Sequence, residues 1–151
     1  MRLNTEPLPP KEAFKLDEKF KLDLEYDLMR LPDEINQLRV EVLKQSIELE
    51  NAKKSERNHR LDIMSEITKA KGEDGKTLFT NDTLREAELR VRLSKSLEWD
   101  RIQDKLQTED FKLGETKIQL EWACDSFAGR KAVARMFEVR TECAPRQNIE
   151  V

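Results

Sequence analysis

Four groups of side chains in this chain are equipped for chemistry or for binding. They are one imidazole, two thiols, a pair of carboxylates in a turn, and a run of cations near the C-terminus. His59 is the only histidine and lies among Glu56, Arg57, Asn58 and Arg60. An imidazole acting as a base needs a nucleophile beside it, and one acting as a ligand needs further ligands. A single histidine supplies neither a His-based metal set nor a spare partner for a dyad, so His59 reads as a solvated residue on a helix surface. Cys124 and Cys143 are the only cysteines, and two thiols cannot complete a zinc site. If both lie on one helix, about 1.5 Å of rise per residue holds them too far apart for a disulfide. They read as two reduced thiols of an intracellular protein. Glu73 and Asp74 lack the ligand spacing of an EF-hand. No GxxxxGK[ST], GxGxxG or HExxH occurs, so the usual cradles for phosphate, dinucleotide and catalytic zinc are missing. The expectation is a protein that is not an enzyme, with no cofactor, no metal site and no small-molecule substrate.

The cations make a more specific pattern. From Phe127 to Arg146 come Arg130, Lys131, Arg135, Arg140 and Arg146, opposed within that stretch only by Glu138 and Glu142. Trp122 and Phe127 precede the run and Phe137 lies within it. Arginine and lysine track phosphates, and exposed aromatic rings stack on bases. Arg130, Lys131, Arg135 and Arg140 are therefore the candidate nucleic-acid-binding residues. The same residues admit a plainer assignment, in which the aromatics are core and the cations favour the negative end of a helix dipole. A third is head-to-tail association of an acidic front with a basic rear. The formal charge of -3 creates no field that attracts nucleic acid to the whole molecule, so such binding must come from a local patch.

These groups have to be positioned by a chain that is unusually polar. Of its 151 residues 39% are charged and 37% apolar, which suits long helices burying one stripe each better than a thick core. An apolar residue recurs every seven positions at Trp99, Leu106, Leu113, Leu120 and Phe127. A strict seven-residue repeat keeps one seam turned to a partner helix, as in a coiled coil. Trp122 and Ile118 fall off that seam and widen the stripe.

Along the chain, residues 1–10 hold three prolines and no periodicity and read as a flexible arm. Between Glu12 and Glu34 eight carboxylates face four basic residues. There Phe20, Leu22, Leu24, Tyr26 and Leu28 alternate as in a strand, while Phe20, Leu24, Leu28 and Leu31 also fit a helical stripe. The excess of Lys, Glu, Asp and Leu over β-branched residues favours helix. Pro32 followed by Asp33 and Glu34 reads as a helix start, with the helix running to about Lys69. Ile35, Leu38, Val42, Leu49, Ala52 and Ile63 give it an incomplete seam. The polar stretch from Asn51 to Arg60 should be exposed or frayed. Gly72-Glu73-Asp74-Gly75 breaks the helix, and Ile67 with Leu78-Phe79 can pair as a very short hairpin. A second helix is expected from about Asn81, with Thr83 and Glu86 as a capping box. It should pause near Ser94–Ser96. The last helix should run from about Leu97 to Phe137 or beyond, with Gly114 and Gly129 marking bends or close approach.

Two resemblances follow from these residues. The run Gly75-Lys76-Thr77-Leu78-Phe79-Thr80-Asn81-Asp82-Thr83-Leu84-Arg85, with Arg92-Leu93 and Trp99, resembles the central signature of short helical proteins encoded by phages and prophages. The plan of a long helix, a Gly-Asp-Gly type break at Asp74-Gly75, and a final helix with Trp122, Cys124, Phe127 and the Arg130-Lys131 region is similar to that of the recombination mediators of T-even phages. That resemblance implies a small oligomeric helical protein that binds single-stranded DNA and helps load a recombinase. The expected fold is all-α: an elongated helical hairpin or coiled coil with a short cross-helix and a Gly-rich turn, residues 11–151 forming one domain. The expected assembly is a homo-oligomer, with single-stranded DNA or a recombinase as partner. No stretch approaches a membrane span, and no signal peptide is evident. The expected location is cytoplasmic, including the cytoplasm of a phage-infected host. A structural or protein-interaction coiled-coil module without nucleic acid is the alternative.

Overall fold

The computed structural model describes residues 10–143, with side chains for 18–138. It contains three helices: α1 (Pro10–Lys69), α2 (Asp82–Ser94) and α3 (Leu97–Cys143). The fold is an all-α helical hairpin in which two long helices pair, with a short helix between them in the chain. The expected arm 1–10 lies outside the described residues except for Pro10, the first residue of α1. The chain divides into two compact units, residues 1–39 with 118–151 and residues 40–117.

In the first unit the start of α1 runs antiparallel to the end of α3. The Phe20 and Phe137 rings lie 5.7 Å apart, and seven residues further along α1 Asp27 accepts a hydrogen bond from Arg130 Nε. The strand-like alternation of residues 20–28 resolves into two helical stripes. Leu24, Leu28 and Leu31 are buried or half-buried, while Leu22, Tyr26 and Met29 are exposed. Stripes on opposite faces of one helix interleave in sequence and mimic a period of two.

Pro32 does not start a helix; it lies inside α1. Its missing N–H removes one backbone bond at a cost of about 3 kcal/mol. Leu31 and Ile35 flank it at 4% and 6% exposure, and burying each contributes about 1.5–3 kcal/mol. Packing therefore outweighs the local penalty. Arg30 adds ion pairs to Asp27 and Glu34, spanning the proline on its helix surface.

In the second unit the later part of α1 runs antiparallel to the first part of α3, with α2 laid against both. The stretch from Asn51 to Arg60 is neither frayed nor wholly exposed. Ala52 is 2% exposed, Glu56 accepts from Gln103 Nε2 at 3.1 Å, and His59 reaches Ser96. Small and polar residues here occupy inward positions that an apolar count overlooks. Ile67 is fully buried with Leu89 and Leu93 of α2, and Ile63, Met64, Phe79 and Trp99 pack around them.

The turn is a tight hairpin, but Ile67 belongs to α1 and takes no part in it. Gly72 donates to Lys76 O at 2.8 Å and Leu78 to Ala70 O at 3.0 Å, around an antiparallel bridge from Lys71 to Thr77. Gly75 sits at φ 75°, where a Cβ would be strained, and Asp74 Oδ1 accepts from Lys76 N. The cap of α2 is Asn81, whose side chain accepts from Leu84 N, and not Thr83. Asparagine outranks threonine as a cap, and the helix starts where the better cap stands. After the pause at Lys95, Ser96 caps α3 by accepting from Trp99 N at 3.1 Å. Gly114 and Gly129 have no neighbour within 4 Å of where a Cβ would stand, so neither marks a close approach among the described residues.

Candidate interaction faces

Each long helix carries an inner and an outer face. On α3 the seven-residue repeat Trp99, Leu106, Leu113, Leu120 and Phe127 lies inward, every member buried or half-buried. Trp99 packs on the Ile67 cluster, Leu106 shares a cleft with Leu49, and Phe127 shares one with Pro32 and Ile35. The repeat therefore closes the hairpin within one chain. A second inward series interleaves with it at Ile102, Glu109, Thr116, Ala123, Arg130 and Phe137. Together they complete the alternating three- and four-residue spacing of a heptad. The second series escaped the sequence reading because four of its six members are polar or small. Only the spacing itself, laid off three residues from the visible seam, marks it.

α1 matches this pattern. Leu24, Leu31, Leu38, Gln45, Ala52 and His59 recur every seven residues and are buried or half-buried, with Leu28, Ile35, Val42, Leu49, Glu56 and Ile63 between them. Several polar groups in these layers have partners. Glu56 bonds Gln103, Asp27 bonds Arg130, and Thr116 Oγ1 donates to Lys112 O. Gln45 donates to Glu41, but its buried Oε1 has no hydrogen-bond partner. Polar layers of this kind fix the register of paired helices at some cost in stability.

His59 is a structural histidine and not a solvated one. Its Nε2 lies 3.1 Å from Ser96 Oγ, and its ring stacks on Trp99 with centroids 6.3 Å apart. The distance suits a nucleophile and base. The serine oxygen, however, also caps α3, and Glu56, one turn away, is bonded to Gln103 instead of the imidazole. The arrangement locks the start of α3 to α1.

The basic run is divided among several roles. Arg130 is committed to Asp27. Its hydrogen bond holds the Asp27 carboxyl below the usual carboxylate range against the opposing effect of burial, with Arg30 adding to the depression. Lys131 Nζ sits 4.5 Å above the Phe127 ring, a cation–π contact. Arg135 is exposed. The side chain of Arg140 lies outside the described residues, as does Arg146. Of the three aromatics, Phe127 and Phe137 are half-buried and only Trp122 stands clear, at 74% exposure beside Arg30 and Arg130.

Cys124 is a free, half-buried thiol. It shares α3 with Cys143, roughly 28 Å away along the helix, far beyond disulfide reach. Among the described residues no cluster of His, Cys, Asp or Glu is placed to hold a metal, and no helix is long and apolar enough to cross a membrane. Open clefts run along the helix pair; one of about 430 Å³ is lined by Leu49, Lys53, Gln103, Leu106 and Asp110.

The outer faces are unexpectedly apolar. Leu22, Tyr26, Met29, Val40, Leu43 and Ile47 on α1, and Phe111, Ile118, Trp122 and Met136 on α3, are all exposed. Trp122 and Ile118 therefore do not widen the inner seam; they point away from it. Comparison with family models, curated proteins and solved structures finds no match for this chain.

Proposed function

We propose that this chain is a non-enzymatic interaction scaffold that works as a homo-oligomer in the cytoplasm. The observation that carries the proposal is the second, outward apolar stripe at heptad spacing on both long helices. The inner seams already close the hairpin, so the outer side chains contribute nothing to the fold of a lone chain. Exposed apolar surface on this scale marks an interaction site. Light scattering tests the reading: it expects a mass that is a multiple of 17.8 kDa at micromolar concentration, and a monomer throughout would refute it.

A second reading follows the resemblance to phage recombination mediators, in which the oligomer binds single-stranded DNA or a recombinase. Trp122 favours it, an exposed indole beside two guanidinium groups, where a base can stack while phosphates meet arginine. Asp27 and Glu34 already occupy those guanidinium groups, so Lys131 and Arg135 would have to supply the phosphate contacts. Anisotropy with labelled single-stranded DNA tests this reading. It expects binding that weakens steeply with salt and is lost in Arg130→Glu/Lys131→Glu/Arg135→Glu. No binding at low salt by the folded oligomer would leave the protein-interaction reading alone.

A further inference from the structure

The outer face of α1 has a polarity pattern that reads the same in both directions. α1 is one helix from Pro10 to Lys69, so residues at alternating three- and four-residue spacing share a face. On the outer face those positions are, in order, Lys19, Leu22, Tyr26, Met29, Asp33, Asn36, Val40, Leu43, Ile47 and Glu50, all exposed. A cation, three apolar residues and a polar one are followed by a polar residue, three apolar ones and an anion.

We infer that a second copy of this chain covers this face, with its own α1 lying antiparallel about a two-fold axis between Asp33 and Asn36. A two-fold contact is isologous: if residue i of one copy meets residue j of the other, then j also meets i. This pattern satisfies that requirement in every layer. Leu22 meets Ile47 of the other copy, Tyr26 meets Leu43, and Met29 meets Val40. At the centre the Asp33 carboxylate accepts from the Asn36 amide, a polar layer that fixes register and direction. At each end Lys19 of one copy meets Glu50 of the other. In a parallel pair both charges would instead face their own kind. Beside the apolar layers, Asp23 falls opposite Lys44 in the same antiparallel register. An unrelated helical partner would place no such condition on the sequence.

The size of the face agrees. The six apolar side chains are 53–78% exposed and present roughly 700 Å² per copy, close to the ~800 Å² each partner gives to a standard stable interface. Glu50 also pairs with Lys53 at 2.9 Å. That pair is exposed, so it leaves the carboxylate free to accept a second cation at little cost.

The inference rests on the homo-oligomer reading and assigns its interface. The test is sedimentation equilibrium of the full chain and three variants. Tyr26→Glu/Leu43→Glu should weaken dimerisation at least a hundredfold with unchanged helical circular dichroism, because both side chains are exposed. Lys19→Glu should weaken it severalfold, and Lys19→Glu/Glu50→Lys should restore it. As a geometric check, Lys19→Cys/Glu50→Cys, with Cys124 and Cys143 replaced by Ser, should give a covalent dimer with a short bismaleimide, while neither single cysteine should. A native dimer that persists in Tyr26→Glu/Leu43→Glu would overturn this interface and leave self-association standing. A native chain that is monomeric at every concentration would overturn both.

Discussion

Replacing Gln45 with leucine should stabilise this protein, although it deletes a hydrogen bond. Gln45 sits in an inner layer of α1 between Val42 and Leu49, and its Oε1 is buried without a partner. A buried acceptor left unsatisfied costs about 1–3 kcal/mol. What the substitution removes is the Nε2 bond to Glu41, an exposed pair one helical turn apart at 3.1 Å, worth about 0.2–0.5 kcal/mol. The net gain is about 0.5–3 kcal/mol. For a chain of 151 residues that raises the melting temperature by roughly 1–10 °C. Thermal denaturation followed by circular dichroism, checked by the urea midpoint at constant slope, reads the difference. A melting temperature unchanged or lower in Gln45→Leu would show that Oε1 is not buried and unpaired, and the description of that layer would fall. The same variant should lose some register specificity, seen as broadened or doubled amide resonances, because polar layers hold paired helices in one alignment.

Other substitutions separate the local claims. Ile67→Ala empties the most buried position, next to Leu89 and Leu93, and should cost about 2–4 kcal/mol in chemical denaturation. Asn81→Ala should cost about 1 kcal/mol while Thr83→Ala costs under about 0.5 kcal/mol, because only Asn81 caps α2. The reverse order would restore the capping box to Thr83. Asp27→Asn should lower the melting temperature at pH 7, and the gap should close in acid. The depressed Asp27 carboxyl contributes stability above its unfolded pKa and loses that contribution as the pH falls through its lower folded value. Melts at pH 7 and pH 2.5 check the sign, and a gap that widens in acid would contradict the Arg130 pairing.

Much of the fold was legible because it rests on local signals. The Gly72–Gly75 turn, the end of α1 at Lys69, the pause at Lys95 and the long last helix follow from glycine, capping residues and apolar spacing. Pro32 was misread because its local meaning is a helix start, whereas the burial of Leu31 and Ile35 on either side is a tertiary effect. The inner seam was half legible. Leucine and aromatic residues reveal a stripe, but Glu109, Thr116, Ala123 and Arg130 face inward through partners or small size that composition does not show. His59 was misread for a related reason, since its partners Ser96 and Trp99 lie nearly forty residues away. The candidate cations were named from sequence alone. That Arg130 is already engaged by Asp27 follows only from the register of the helix pair.

The proposed division, with the inner seams completing the hairpin and the outer ones serving assembly, is tested most directly by the mass of the native chain in solution. Sedimentation equilibrium over a hundredfold dilution should show a reversible assembly of twice 17.8 kDa or a higher multiple at the concentrated end. A single species of 17.8 kDa at every concentration, with the helices intact by circular dichroism, would contradict it.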